Sequence, residues 1–506
     1  MKISRRHFVR GMGVTASSTL LPLPLFAQNQ TRNELQIPAL HAGEMQAGRQ
    51  SYDLQLQSGT SQFLSGLTTP TLGINGSFLG PTLRLKNGSD VAISVLNKLD
   101  EPSTMHWHGL HVPAKADGGP AQAILPDETW KPSFTVNQKA GSFWYHSHLL
   151  NKTGEQVYRG LAGMIILDDE ESESLEIPSN YGVDDIPLIV QDRRFNEDGS
   201  FRYVGMHRDV MTGVFGDRIL VNGTSSAVFT PSTNKVRFRI LNAANARTFN
   251  FALADGREFS LIASDGGFLE KPVALRNIVL APAERAEIVV DFSDGGPVDL
   301  ISMPLEASSP YATIGMMRNM LSTNTESFTI LSVEPQSTLQ RSSALPDELT
   351  SIGRMQEAQA TRTRRFELSM PMGMGMMGRG GGQRGGGGRM GGMGGEFLIN
   401  GKPMAMDEIN EVVPIGSTEI WEIHNDSMMM HPFHIHHGQF QILDRDGVPP
   451  SQEEMGFKDT VKVGPGQLLR FIMRFENFSD PETAYMYHCH ILEHEDNGMM
   501  GQFTVV

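Results

Sequence analysis

The chain has one cysteine, Cys489, in 506 residues, so no internal disulfide can hold its fold. That thiol is therefore an inert buried group, an intermolecular link or a ligand, and its neighbours have to decide. Positive charge is also short: 42 Lys and Arg against 57 Asp and Glu leave a formal net charge of −15. This balance argues against nucleic acid or an anionic membrane surface as the main partner. Long helical periodicity is missing as well. The 28 prolines and 53 glycines instead break the chain into short segments, which leans towards β structure and loops. At roughly 150 residues per domain, the length predicts about three domains.

The N-terminus reads as an address. Twin arginines in "SRRHFVR" (Ser4 to Arg10) precede the apolar stretch "VTASSTLLPLPLFA", which ends at Ala27. This order predicts a twin-arginine export signal over residues 1–27, and with it the export machinery as a partner and the periplasm as destination. The apolar stretch is shorter than the roughly 20 residues that span a bilayer, so no membrane anchoring is expected after its removal. Its loss takes away Lys2, Arg5, Arg6 and Arg10 and no acid, leaving a more acidic chain. Export in the folded state suits a cofactor loaded before transit.

The mature chain repeats a phrase three times. "LGINGSFLGPTLRLKNGSDVAISVLNKL" begins at Leu72, "ILVNGTSSAVFTPSTNKVRFRILNAAN" at Ile219, and "FLINGKPMAMDEINEVVPIGSTEIWEIHND" at Phe397. Each opens on an apolar-Asn-Gly turn signal and closes on an alternating strand that ends in Asn97, Asn242 or Asn425. Three related β domains are expected, over 45–170, 171–345 and 346–506. One segment of the third breaks the pattern: residues 370–395 are too rich in glycine to pack a core. They read as an insertion carrying seven methionines, whose thioethers are soft donors suited to Cu(I).

Ten of the 16 histidines fall into four clusters: His106 and His108; His146 and His148; His431, His434 and His436; His488, His490 and His494. On a strand, residues i and i+2 share a face, so each His-x-His pair presents two imidazoles together. Four such pairs give eight ligands, which can build one metal centre. In "HCH" the histidines 488 and 490 face one way and Cys489 the other, which joins a second centre to the first through the backbone. A thiolate, two imidazoles and a weak thioether make a blue-copper electron-transfer site. Cys489, His494, Met499 and the out-of-phase His431 can supply them. A structural zinc site, with its recurrent cysteines, is not the pattern here. Of the remaining six histidines His7 goes with the signal, and His41, His111, His207, His424 and His437 read as surface or hydrogen-bonding residues, with His437 placed to support a ligand.

These motifs resemble those of the multicopper oxidases, and the three repeats resemble their three cupredoxin domains. Within that family the twin-arginine signal and the methionine segment are similar to those of the periplasmic copper efflux oxidases. The resemblance implies an all-β fold of three cupredoxin-like Greek-key β-sandwich domains. It implies four copper ions: one type 1 on His431, Cys489, His494 and Met499, one type 2 on His106 and His434, and two type 3. The type 3 ions would be held by His108, His146 and His490, and by His148, His436 and His488. Asp117 and Glu495 match acidic positions that supply protons for oxygen reduction. The implied activity is oxidation of Cu(I) at the type 1 site with reduction of O2 to water, by a monomer, for copper detoxification. Met370, Met372, Asp426 and Met429 are the candidates for binding substrate Cu(I), although residues 368–395 carry no acid. A laccase-like oxidase of phenols and a non-enzymatic copper-binding protein are the alternatives.

Overall fold

The computed structural model describes residues 32–320, 326–370 and 397–506. Among these residues the protein is built of strands, with only short helices, and no helix is long and apolar enough to cross a membrane. The strands form six sheets, two in each third of the chain.

In the first third, Arg49–Leu64 and Asp90–Asn97 lie at the centre of one sheet. Facing it is a sheet ordered Leu40–His41, Thr82–Lys86, Ala162–Asp168, Gly141–His146 and His106–His108. Alternation explains the packing: Val91, Ile93 and Val95 of one strand are buried while the residues between them are not. They meet Leu83, Leu85, Ile165 and Leu167 in one apolar core. The middle and last thirds each enclose their own core between two sheets in the same way. Together these are three cupredoxin-like sandwiches. The short strand Asn33–Glu34 does not join the first of them but pairs with Ala227–Phe229 in the second.

The threefold repeat in the sequence is a threefold repeat in space. In each copy the strand that pairs with the one leading into the Asn-Gly turn runs parallel to the closing strand, with Leu56 opposite Asn97, Val190 opposite Asn242 and Leu368 opposite Asn425. The turn asparagines Asn75, Asn222 and Asn400 all take left-handed φ angles, between 52° and 56°. Their side-chain oxygens accept from the backbone N–H of Gln55, Ile189 and Glu367 at 2.7–2.8 Å. The closing asparagines act as corners. Asn97, Asn242 and Asn425 each donate to two backbone carbonyls and accept from the N–H two residues on. Asn is used because its amide offers a donor and an acceptor at once while tolerating αL.

Candidate metal centre

Each histidine cluster of the first and third sandwiches sits on paired strands. His106–His108 runs antiparallel to Gly141–His146, which places His106 opposite His146. His431–Ile435 runs antiparallel to Asp480–Cys489, which places His434 opposite His488. The two sandwiches then bring their clusters together. His106 stacks on His436 with ring centroids 3.9 Å apart, and His108 on His434 at 3.7 Å. All eight imidazoles, of His106, His108, His146, His148, His434, His436, His488 and His490, are buried.

One ring nitrogen of most of these histidines is taken by the protein, and the other is turned inward. His106 Nδ1 lies 2.9 Å from the Asp117 carbonyl and His434 Nδ1 2.8 Å from the Asp459 carbonyl. His146 Nδ1 bonds to the Ser147 carbonyl and His488 Nδ1 to that of Cys489. His108 is anchored by its other nitrogen: Nε2 lies 3.1 Å from Asp459 Oδ1 and 2.9 Å from Thr460 Oγ1. His436 Nδ1 lies 2.7 Å from Asp117 Oδ2. An anchored N–H leaves the opposite nitrogen as a bare acceptor. His148 Nε2 and His436 Nε2 lie 3.2 and 3.4 Å from His488 Nε2, and His108 Nδ1 lies 3.4 Å from His146 Nε2. Where both facing nitrogens are bare, as in His436–His488 and His108–His146, lone pairs at such distances call for a cation between them. His106 Nε2, His434 Nε2 and both nitrogens of His490 have no partner among the described residues. The donor set fits metal.

Electrostatics favour the same conclusion. Burial, and then neighbouring imidazoles, push His106, His108, His434, His436 and His490 well below the ordinary histidine pKa. His146 falls to about 3 for the same reasons. They are neutral imidazoles, the form that ligates.

Beyond this cluster, Cys489 is fully buried at the end of its strand. Its Sγ lies 3.3 Å from His431 Nδ1 and 3.8 Å from His494 Nδ1. Burial pushes the thiol pKa up, so a cation is needed to hold the thiolate. Met499, also buried, accepts from the Cys489 N–H and donates to the His494 carbonyl. The outer nitrogens are held too: His431 Nε2 at 2.9 Å from Ser427 Oγ, and His494 Nε2 at 3.2 Å from the Met211 carbonyl.

Both carboxylates expected from the sequence reach the cluster. Asp117 is buried, its pKa raised by that burial, and its Oδ1 lies free beside His106 at 3.6 Å. The following Gly118 has φ 82°, and a Cβ there would strike the Met105 carbonyl, so the turn that aims Asp117 requires glycine. Glu495 lies 3.4 Å from His148 Nδ1 and 3.1 Å from His488 Nδ1. Burial raises its pKa, but these two rings outweigh burial and hold it low.

The structure adds residues the sequence did not reveal. Asp459 mirrors Asp117. Asp117 holds His106 by its carbonyl and His436, from the other sandwich, by its carboxylate. Asp459 holds His434 by its carbonyl and His108 by its carboxylate. The fully buried Arg285, from the second sandwich, pairs with Asp459 at 2.5–2.6 Å. Asp117 follows its histidines by nine residues and could be noticed. Asp459 lies 351 residues from His108, and no spacing marks it.

The substrate candidates are placed unevenly. Ser369 pairs with Asp426 across parallel strands, so Met370 and the exposed Asp426 lie at one sheet end. Met429 is buried and Met370 packs against the same core as Cys489. Met372 lies outside the described residues. His437 departs from its reading as a hydrogen-bonding residue: it is 1 % exposed and neither ring nitrogen has a partner among the described residues.

Three family models described as multicopper oxidase match residues 55–172, 175–299 and 384–506. The multicopper oxidase mco of Staphylococcus aureus is 36 % identical over 482 residues, covering 94 % of this chain and 93 % of that one. The cell division protein FtsP of Yersinia pestis is 34 % identical, covering 100 % of this chain and 99 % of its own. Among solved structures, the laccase-like multicopper oxidase CueO of Ochrobactrum sp. is 35 % identical. It superposes with a TM-score of 0.82 and covers 93 % of this chain and 100 % of that chain.

Proposed function

We propose that this chain, which belongs to the multicopper oxidase family, oxidises Cu(I) in the periplasm after twin-arginine export and passes the electrons to O2. His431, Cys489, His494 and Met499 would hold one copper. His106 and His434 would hold a second, His108, His146 and His490 a third, and His148, His436 and His488 a fourth. Bound copper supplies the one-electron transfers and the reduction chemistry: four Cu(I), one O2 and four protons give four Cu(II) and two waters.

The chain's own residues do the rest. Cys489 is bonded through the backbone to His488 and His490, a short covalent route between the two centres. Asp117, whose buried carboxyl favours the protonated state, is placed to hand a proton on at its free Oδ1. Glu495, which sits between His148 and His488, would be the second carboxylate on the proton route. Burial of the whole cluster would keep bulk water from the place where oxygen is reduced.

The observation that favours Cu(I) as donor is the company kept by the two outer imidazole nitrogens. His494 Nε2 ends on the carbonyl of Met211. His431 Nε2 ends on Ser427 Oγ, which in turn lies 3.0 Å from the Met429 carbonyl. Met211, Met317 and Met429 share the apolar core of Cys489, with Met370 and Met428 packed against it. Segments rich in soft thioethers thus meet the electron entry from several directions. The full-length likeness to FtsP raises a non-enzymatic reading, against which stands a complete set of donors, every one buried.

Oxygen uptake by copper-loaded protein decides between them, with stabilised Cu(I) and then a phenol as donor, each repeated on a variant lacking residues 371–395. Fast uptake with Cu(I) that falls on deletion is expected. A faster phenol reaction, with Cu(I) turnover untouched by deletion, establishes the laccase reading. Full copper content without uptake from either donor establishes the non-enzymatic one.

A further inference from the structure

We propose that His111 and His437 form a further metal site, outside the four coppers, for one soft monovalent cation, Cu(I). The two residues come from different sandwiches, and their rings lie 4.8 Å apart at an interplanar angle of 55°. His437 is 1 % exposed, and among the described residues neither its Nδ1 nor its Nε2 has a hydrogen-bond partner; His111 Nε2 has none either. A buried polar atom left without a partner costs about 1–3 kcal/mol. Three such nitrogens on two touching rings point to an occupant.

The backbone supplies a second, independent observation. The first sandwich reads His106-Trp107-His108-Gly109, and the third reads His434-Ile435-His436-His437. Gly109 has φ 85°, and its counterpart His437 has φ 83°. The left-handed region is natural for glycine and costs a residue with a Cβ about 1–3 kcal/mol. Gly109 meets the geometric demand in one copy, so the imidazole in the other is present despite strain, and its ring is what remains to explain it.

The surroundings choose the ion. Tyr485 and Phe475 contact the His437 ring, at 4.9 and 5.5 Å between centroids, and Phe478 contacts His111 at 5.2 Å. Glu476 bears on His111 through its backbone carbonyl and then through its charge, and its carboxylate is itself paired with Arg474 at the surface. Zinc would want four ligands, and a dication buried without an anion is costly. A monovalent d10 ion accepts two neutral imidazoles and adds the least charge to an aromatic-walled space. His111 is only partly buried, which leaves the ion a way in. The inference goes beyond the oxidase reading and holds whichever donor the enzyme uses.

Ag(I), a redox-inert analogue, tests it on the copper-loaded protein. Crystals soaked in Ag(I) should give an anomalous peak between the two rings. Ordered water or empty density there overturns the site. In solution, His437→Gly, which relieves the backbone, and His111→Gln should each bind one Ag(I) fewer per chain than the wild type, with copper content and blue colour kept. Equal Ag(I) stoichiometry in all three proteins overturns it as well. Should a variant lose its colour, the soaked wild-type crystal decides.

Discussion

At the scale of single residues, Cys489 and Asp459 carry opposite kinds of information. In the proposed function Cys489 is the electron entry. Cys489→Ser keeps the volume but replaces a thiolate by a hydroxyl that stays protonated. The visible absorption band and substrate oxidation should both vanish, while the far-ultraviolet circular dichroism is retained. A blue, active variant would sink the assignment of the site. Asp459 touches no electron donor, yet it anchors His434 and His108 and neutralises Arg285. Partners of this kind are worth about 10–100-fold in metal affinity or activity. Asp459→Asn should therefore lower the copper content of the histidine cluster and slow oxygen reduction. The blue band should survive, because His431, Cys489 and His494 lie outside its reach. Elemental analysis with electron paramagnetic resonance separates the two losses.

At the scale of elements, the asparagine corners and the paired strands each make a measurable statement. Asn97, Asn242 and Asn425 do the same work in three sandwiches, so Asn→Ala at each should cost about 1–3 kcal/mol by leaving buried carbonyls unpaired. Thermal unfolding of the copper-free variants reads this. Only Asn425→Ala should also alter the blue spectrum, since Asn425 holds the Met429 carbonyl two residues before His431. In the second sandwich Glu287 stands across the strand pair from Arg239 and bonds Arg237, Arg239 and Ser142. Burial raises its pKa, but the two guanidiniums overcome burial and bring it from 4.5 to about 2. A lowered folded pKa means stability that is present above pH 4.5 and is lost as pH falls from 4.5 towards 2. The loss amounts to about 3 kcal/mol. Glu287→Gln should be less stable at neutral pH and should flatten that acid limb, as unfolding midpoints at a series of pH values will report.

At the scale of the whole molecule, the eight-histidine cluster is a joint between the first and third sandwiches. Four of its imidazoles come from residues 106–148 and four from residues 434–490. Among the described residues the second sandwich adds no histidine to the cluster, but it braces the joint with Arg285 on Asp459 and holds His494 through Met211. A metal bound only by the assembled joint stabilises it by mass action, by about 4 kcal/mol at a thousandfold excess over its dissociation constant. Removing copper should lower the unfolding temperature, and restoring it should recover the loss. His436→Ala should forfeit much of that recovery, because the lone pairs that converge with His148 and His488 then lack a member. Calorimetry of the copper-free and copper-loaded proteins checks this.

Much of the site was legible in the chain because its chemistry is local. The two-residue period of a strand puts His106 with His108 and turns Cys489 away from His488 and His490, and Asn-Gly forces the same turn three times. All-β architecture and the pairing of these side chains follow from such short-range rules. What holds the donors does not. Asp459 meets His108 across 351 residues, Arg285 reaches it from a different sandwich, and the strain at His437 appears only when its backbone is compared with that of Gly109. These contacts depend on how three sandwiches pack, and packing is decided by surfaces that no spacing within one strand describes.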